Sequence, residues 1–283
     1  MSGDWTIDGP RVLDIGDDGE RVRRLTVSIV GGRVDVVTHT DSPTARLEVS
    51  SVEGEPLRVR WDGSHLRLTQ GKDGDGSVME WVKRMASRIE HNKAVISLSV
   101  PEDAATSVNT VSAGGLLAGL RASAKVNTVS GVITLDDIAG PVDVNTVSGE
   151  VECDRVRGPL KVHSVSAAVT AQRSDMPSVN INTVSGDITL DLVNTASRIT
   201  SNSVSGDVTV RAPHRGYDVT ANTASGRVVI DGQTMDRRNR PVGARLTDGD
   251  RALQLRANAV SGNVVVLRPR PADSTGEPAE AVR

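Results

Sequence analysis

The sequence predicts an all-β chain folded as a parallel β-helix, or β-solenoid, of about eight or nine coils, and three observations predict it. A pentapeptide close to Asn-Thr-Val-Ser-Gly recurs, its first residue falling at Asn109, Asn127, Asn145, His163, Asn182, Asn202, Asn222 and Asn258. The intervals are 18, 18, 18, 19, 20, 20 and 36 residues, and self-similarity at a fixed period is the signature of a stacked repeat. Aromatic bulk is nearly missing: Trp5, Trp61, Trp81 and Tyr217 are the whole set, with no Phe. A core without aromatics has to be a stack of small branched side chains.

Columns aligned on the Asn define the strands. Six residues later stand residues such as Ile133, Val151, Val169, Ile188 and Val208. Eight residues later stand Leu135, Cys153, Ala171, Leu190 and Val210, and the position between is mostly Thr or Glu. Apolar-polar-apolar at period two is a strand with one buried face. A second strand precedes the Asn, with Val126, Val144, Val162 and Ile181 immediately before it. Two residues after the Asn comes another apolar column, Val111, Val129, Val147, Val165, Val184, Val204, Ala224 and Val260. If that column also points inward, the parity switches at Asn-Thr, and the chain must bend or bulge there. Further corners are expected near Ser-Gly and near Gly140-Pro141 and Gly158-Pro159, giving three short strands per coil. Identical residues then stack, so the eight motif-leading positions, His163 included, form a structural ladder along one edge.

Residues 1–100 lack the motif but alternate in strand-like runs, so they are expected to form an N-terminal antiparallel β cap over the first coil. Within them, Ser77 and Glu80 make a capping box. Val78, Trp81, Val82, Met85 and Ile89 fall at helical spacing, which predicts one short amphipathic helix near 77–90. Packing against the solenoid is the expected role of that helix; contact with a membrane is the weaker reading. The solenoid domain is expected over 101–268 and a disordered tail over 269–283. Residues 231–250, in the long interval, fit either a degenerate coil or a protruding loop.

Chemistry is sparse. The net charge of −3 gives no reason to expect nucleic acid. The five histidines show no metal-ligand spacing, and no cofactor is expected. The N-terminus carries no basic and apolar leader and no apolar run reaches ~18 residues, so a cytoplasmic protein is expected. Cys153, the lone cysteine, lies in an inward column and should be an inert thiol. Asp187 and Asp207 could stack and share a cation, though solvated surface is the commoner state of such residues. Arg237, Arg238 and Arg240 cluster in the long interval and are candidates for contact with an anionic partner.

The pattern at Asn182 to Ile188 and Asn202 to Val208 resembles the bacterial "putative adhesin" domain family, a β-solenoid family of unknown function, over roughly 95–267. The resemblance implies no catalytic residues and a link, in some relatives, to cell-envelope functions. The expectation is therefore a non-catalytic, adhesin-like scaffold or binding module, not an enzyme, whose partner is a protein or cell-envelope component, with oligomers allowed. The competing class is a carbohydrate-active enzyme of the parallel β-helix type, a lyase or hydrolase, which needs clustered carboxylates and sugar-stacking aromatics.

The column assignment makes a prediction about stability. Cys153→Asp should cost several kcal/mol, because an unpaired carboxylate replaces an apolar side chain. Glu152→Ala, one residue away and outward, should change stability by less than ~0.5 kcal/mol. Denaturant melts of the two variants check it; equal losses would reverse the assignment.

Overall fold

The computed structural model describes residues 2–16, 19–70, 92–194, 196–213, 216–235 and 244–268. The N-terminal strands are β1 (Gly3–Ile7), β2 (Arg11–Ile15), β3 (Arg24–Ile29), β4 (Gly31–His39), β5 (Ala45–Glu53), β6 (Leu57–Trp61), β7 (His65–Gln70) and β8 (Lys93–Pro101). The repeats supply β9 (Ala105–Thr110), β10 (Gly114–Ala118), β11 (Ala124–Thr128), β12 (Val132–Asp136), β13 (Val142–Asp154), β14 (Leu160–Ser174), β15 (Ser178–Asn182) and β16 (Ile188–Leu192). The C-terminal part adds β17 (Ser197–Ser205), β18 (Val208–Arg211), β19 (Tyr217–Thr223), β20 (Val228–Ile230), β21 (Gln233–Met235), β22 (Ala244–Asp248), β23 (Leu253–Ser261) and β24 (Val264–Leu267).

Each repeat contributes one strand, or one half of the long β13 and β14, to each of two ladders. The first ladder runs β1-β6-β7-β3-β9-β11-β13-β14-β15-β17-β23-β19-β22. The second runs β2-β5-β8-β4-β10-β12-β13-β14-β16-β18-β24-β20-β21. Val, Ile, Leu and Ala rows from both ladders fill the space between them, and Val144, Val151, Cys153 and Leu160 are among the buried residues. The third side of a coil carries no strand. There Leu120, Ile138 and Val156 turn inward, while backbone bonds such as Ala139 N–H to Leu120 O, at 2.8 Å, still join successive coils.

The expected fold class is corrected in two respects, and of the three strands expected per coil the described residues form two. The sheet is all-β but mixed: parallel in the repeats, antiparallel at both ends, and without a helix among the described residues. The helix expected near 77–90 lies outside the described residues, as does the tail expected at 269–283. The N-terminal region is not a purely antiparallel cap. β3 and β4 pair in parallel with β9 and β10, and β7 and β8 stack in parallel on β3 and β4. Only β5, β6, β1 and β2 then continue antiparallel. Period-two alternation is the same for both senses of pairing, so it could not tell them apart.

The register exposes a disguised repeat. Ser28 pairs with Asn109 and Ile29 with Thr110, so Ser28-Ile29-Val30-Gly31-Gly32 occupies the place of the pentapeptide. Gly32 has φ +105°, like Gly131, Gly149, Gly186, Gly206 and Gly262 at the same place, whose φ values lie between +119° and +140°.

The order of the coils is not the order of the chain. β23 and β24 insert between the coil of β17–β18 and that of β19–β20, so Asn258 stacks on Asn202 and Asn222 on Asn258. This is the origin of the 36-residue interval: the chain builds the outermost coil, adds β21 and β22 across its open edges, and returns to fill the layer beneath. Segment 231–250 is thus neither a coil nor simply a loop over its described part. Its two short antiparallel strands cover edges that would otherwise offer unpaired backbone to another chain.

A Cβ built on Gly149 would stand 2.2 Å from the carbonyl oxygen of Gly131 in the neighbouring coil, and φ there is +124°. Gly149→Ala therefore combines backbone strain with a clash against main chain, and a loss of about 2 kcal/mol or more is expected in thermal or urea melts. Gly9→Ala, where nothing lies within 4 Å, should melt like the wild type.

Candidate functional site: an outward row of valines

The valine column of the motif faces solvent. Val147, Val165, Val184, Val204 and Val260 are between 46 % and 56 % exposed, one above another on successive coils. The expected parity switch at Asn-Thr does not occur. The residue before the Asn and the Thr after it both point inward, as Val144 and Thr146 do, and the valine therefore alternates outward. The switch falls later, at Ser-Gly, where the left-handed glycine lets the chain enter the second ladder with the next apolar residue inside.

The buried threonines hold this arrangement. Thr128 Oγ1 donates to Ser130 O at 2.9 Å, Thr146 Oγ1 to Ser148 O at 3.0 Å, and Thr183 Oγ1 to Ser185 O at 2.8 Å. Each hydroxyl reaches under its own valine to a carbonyl two residues on, so a polar group inside is satisfied and the apolar one outside is fixed. The serines tie coil to coil: Ser148 Oγ donates to Val129 O at 3.2 Å and Ser225 Oγ to Val260 O at 3.3 Å. At the N-terminal end the same row is covered. Val30 and Val111 are buried and Val129 packs against them.

Beside the valines, on the outer face of the first ladder, runs the row of motif-leading residues. Asn127 Nδ2 donates to Asn109 Oδ1 at 2.8 Å, Asn145 to Asn127 at 3.1 Å, and Asn202 to Asn182 at 2.8 Å. Asn258 then donates to Asn202, and Asn222 to Asn258, each at 2.8 Å. His163 takes its place through Nδ1, 3.4 Å from Asn182 Nδ2. The motif-leading residues thus stack in space order, and one amide proton is consumed inside the row at each of these steps. The next outward row carries Lys125, Asp143, Lys161, Asn180, Thr200, Arg256 and Thr220 in register.

The remaining candidates do not converge on a catalytic or metal centre. Asp187 Oδ1 accepts the Asp207 backbone N–H at 2.9 Å, and Asp207 Oδ1 accepts that of Asn263 at 2.7 Å, so these carboxylates cap the neighbouring coil's backbone. Among the described residues no group of three His, Cys, Asp or Glu side chains is placed to hold a metal ion. Asp154 accepts from Arg173 and Arg155 at an exposed corner; the hydrogen bond from Arg173 is the main cause holding its carboxyl below the usual range. Burial pushes the Cys153 thiol up to about 12, which leaves it un-ionised and inert. Open grooves of about 340 Å³ and 450 Å³ lie at the two ends of the first ladder's face, the former beside Arg245, Gln254 and Arg256, the latter beside Arg60, Asp62 and His65. Arg237, Arg238 and Arg240 lie outside the described residues.

These features define a class: a β-solenoid-like repeat domain whose motif builds a corner and leaves a valine row bare. The chain belongs to the Toastrack DUF4097 family, a family of unknown function, which it matches over residues 24–267. That span begins at the first residue of β3 and ends at the last of β24, so it takes in every parallel coil. Among solved structures, a "putative cell adhesion protein" from Clostridium sporogenes is 12 % identical, with a TM-score of 0.30, covering 92 % of this chain and 100 % of its own. A "putative lipid binding protein" from Parabacteroides distasonis is 13 % identical, TM-score 0.41, covering 93 % and 99 %. A "putative adhesin" from the same organism is 14 % identical, TM-score 0.41, covering 92 % and 98 %. Likenesses at these scores carry no argument about function. No curated protein matches the chain.

Proposed function

We propose that the chain is a non-catalytic binding module, a rigid stack of coils that presents the outer face of its first ladder to a protein partner. The observation that carries this reading is the exposed valine row. Single exposed apolar side chains are ordinary, but five in one line at the coil spacing form a continuous apolar strip. The fold does not bury them, because the residue before each (Thr146, Ser164, Thr183, Ser203 or Ala259) is the one that alternates toward the interior. The chemistry around the strip supports recognition over turnover: it consists of amides, hydroxyls and mixed charges, with no aromatic in the exposed rows beside it. The adhesin-like form of this reading has a protein of the cell envelope as the partner.

The test is in-cell crosslinking with the wild type and with a Val165→Lys/Val204→Lys variant. Both positions are exposed, so the variant should melt within ~1 kcal/mol of the wild type. It should lose a partner that the wild type captures. Retention of every crosslinked partner by the variant would remove the valine face from the account. Turnover of a glycan by the purified protein, abolished by one Asp or Glu substitution, would overturn the non-catalytic reading.

A further inference from the structure

We propose that a partner of the valine face is a second copy of this chain, the two first-ladder faces packing with their coils in opposite order. The proposal rests on the binding-module reading and names the occupant of the same face.

Periodicity is the first ground. A row of apolar side chains repeating at the ~4.8 Å coil spacing is matched in step by another β-ladder, and a second copy supplies one with the same valine row, as in packed cross-β sheets. Area is the second. Four outward columns at ~3.3 Å per residue and the seven coils that overlap about Val184 at ~4.8 Å give a face of about 20 by 34 Å, roughly 680 Å² per partner. A specific interface of standard size takes roughly 600–1,000 Å² per partner, so the face falls within that range while the valine strip alone does not.

Charge is the third ground, and it is independent of the valines. Val184 is the middle member of the exposed row, with Val165 and Val147 on one side and Val204 and Val260 on the other. A two-fold axis along the strand direction at Val184 sets Val147 opposite Val260 of the second copy and Val165 opposite Val204. The same operation sets Asp143, two residues before Asn145, opposite Arg256, two residues before Asn258, and does so twice. Asp143 accepts from the Asn145 amide at 3.0 Å and forms no ion pair among the described residues. Lys125 and Lys161 flank it in register without forming an ion pair. Arg256 forms no ion pair within 4 Å among the described residues, though its charge reaches Asp218. In the same row Lys161 meets Thr200 and Lys125 meets Thr220, so no like charges face each other. A symmetric contact must be self-complementary, and this register is.

Sedimentation velocity over about 1–100 µM tests the proposal, with circular-dichroism melts to confirm folding. The wild type should form a dimer, and Val184→Lys a folded monomer. Asp143→Arg and Arg256→Asp should each weaken dimerisation about tenfold or more, through like charges brought face to face. The double swap should restore it to within about threefold of the wild type. A wild type that stays monomeric throughout overturns the proposal, whether the row is then bare or covered by residues 71–91 of the same chain. So does a dimer indifferent to Val184→Lys, or a double swap no better than either single one. If the chain is monomeric but still captures a partner through the valines, the dimer fails and the binding-module reading survives.

Discussion

Parallel coils stacked one strand spacing apart leave, in most coils, no room for a side chain where the chain turns between the ladders. At that turn the carbonyl oxygen of one coil stands 2.2 Å from where a Cβ of the next would be, at Gly149, Gly186 and Gly262 alike. Glycine with positive φ is the residue that fits, and its left-handed backbone resets the inward parity as the chain passes into the second ladder. The rest of the motif follows from having the reset there and nowhere earlier. The strand runs straight through Asn and Thr, which sends Thr inside and Val outside. The inward hydroxyl needs an acceptor, and the carbonyl beyond the valine is in reach. The asparagines, outward and in register, hydrogen-bond along the stack instead of across it. Coils 109 and 163 are the exceptions: Ala113 and Ala167 take the glycine's place without a positive φ, and in coil 163 Val165 still faces out while Val169 faces in.

The constraint also decides how the ends are made. A stack of parallel coils terminates in two open edges at each end, and the chain closes them with antiparallel strands on both sides, β22 and β21 at one end, β6 and β5 at the other. Antiparallel strands are cheap to add because a short connection suffices, whereas another parallel layer needs a full coil of chain. At both ends the outermost parallel coil is one that the chain does not visit in sequence order. The ladder of asparagines tolerates this, since Asn258 fits between Asn202 and Asn222 with unchanged 2.8 Å bonds on both sides. Stacking matches residue types, not sequence neighbours.

Much of this was legible in the residues. The period, two of the three strands expected of each repeat and the inward position of Cys153 follow from the aligned columns, because branched apolar residues at period two mark a strand with one buried face. The direction of the valines was not, since hydrophobicity alone argues for burial and the competing claim of Thr on the interior depends on a hydrogen bond to a carbonyl. The signal that could have settled it sits outside the obvious copies: Ile29 holds the threonine's place in the disguised repeat and is fully buried. An apolar residue there says that the column points inward. The antiparallel ends and the reordered coils left no periodic trace, because strand sense and layer order are properties of pairing between distant segments. The exposed valine face was hidden by the same misassignment that placed its valines in the core.

Thiol accessibility tests the corner's parity most directly. In a Cys153→Ala background, single cysteines at positions 183 and 184 would be labelled by a small maleimide under native conditions. The account predicts fast labelling at 184, which faces solvent, and labelling at 183 only on the timescale of unfolding, because Thr183 is 7 % exposed. Rapid labelling at 183 with protection at 184 would contradict it, return the valines to the interior, and leave the face described here without its apolar row.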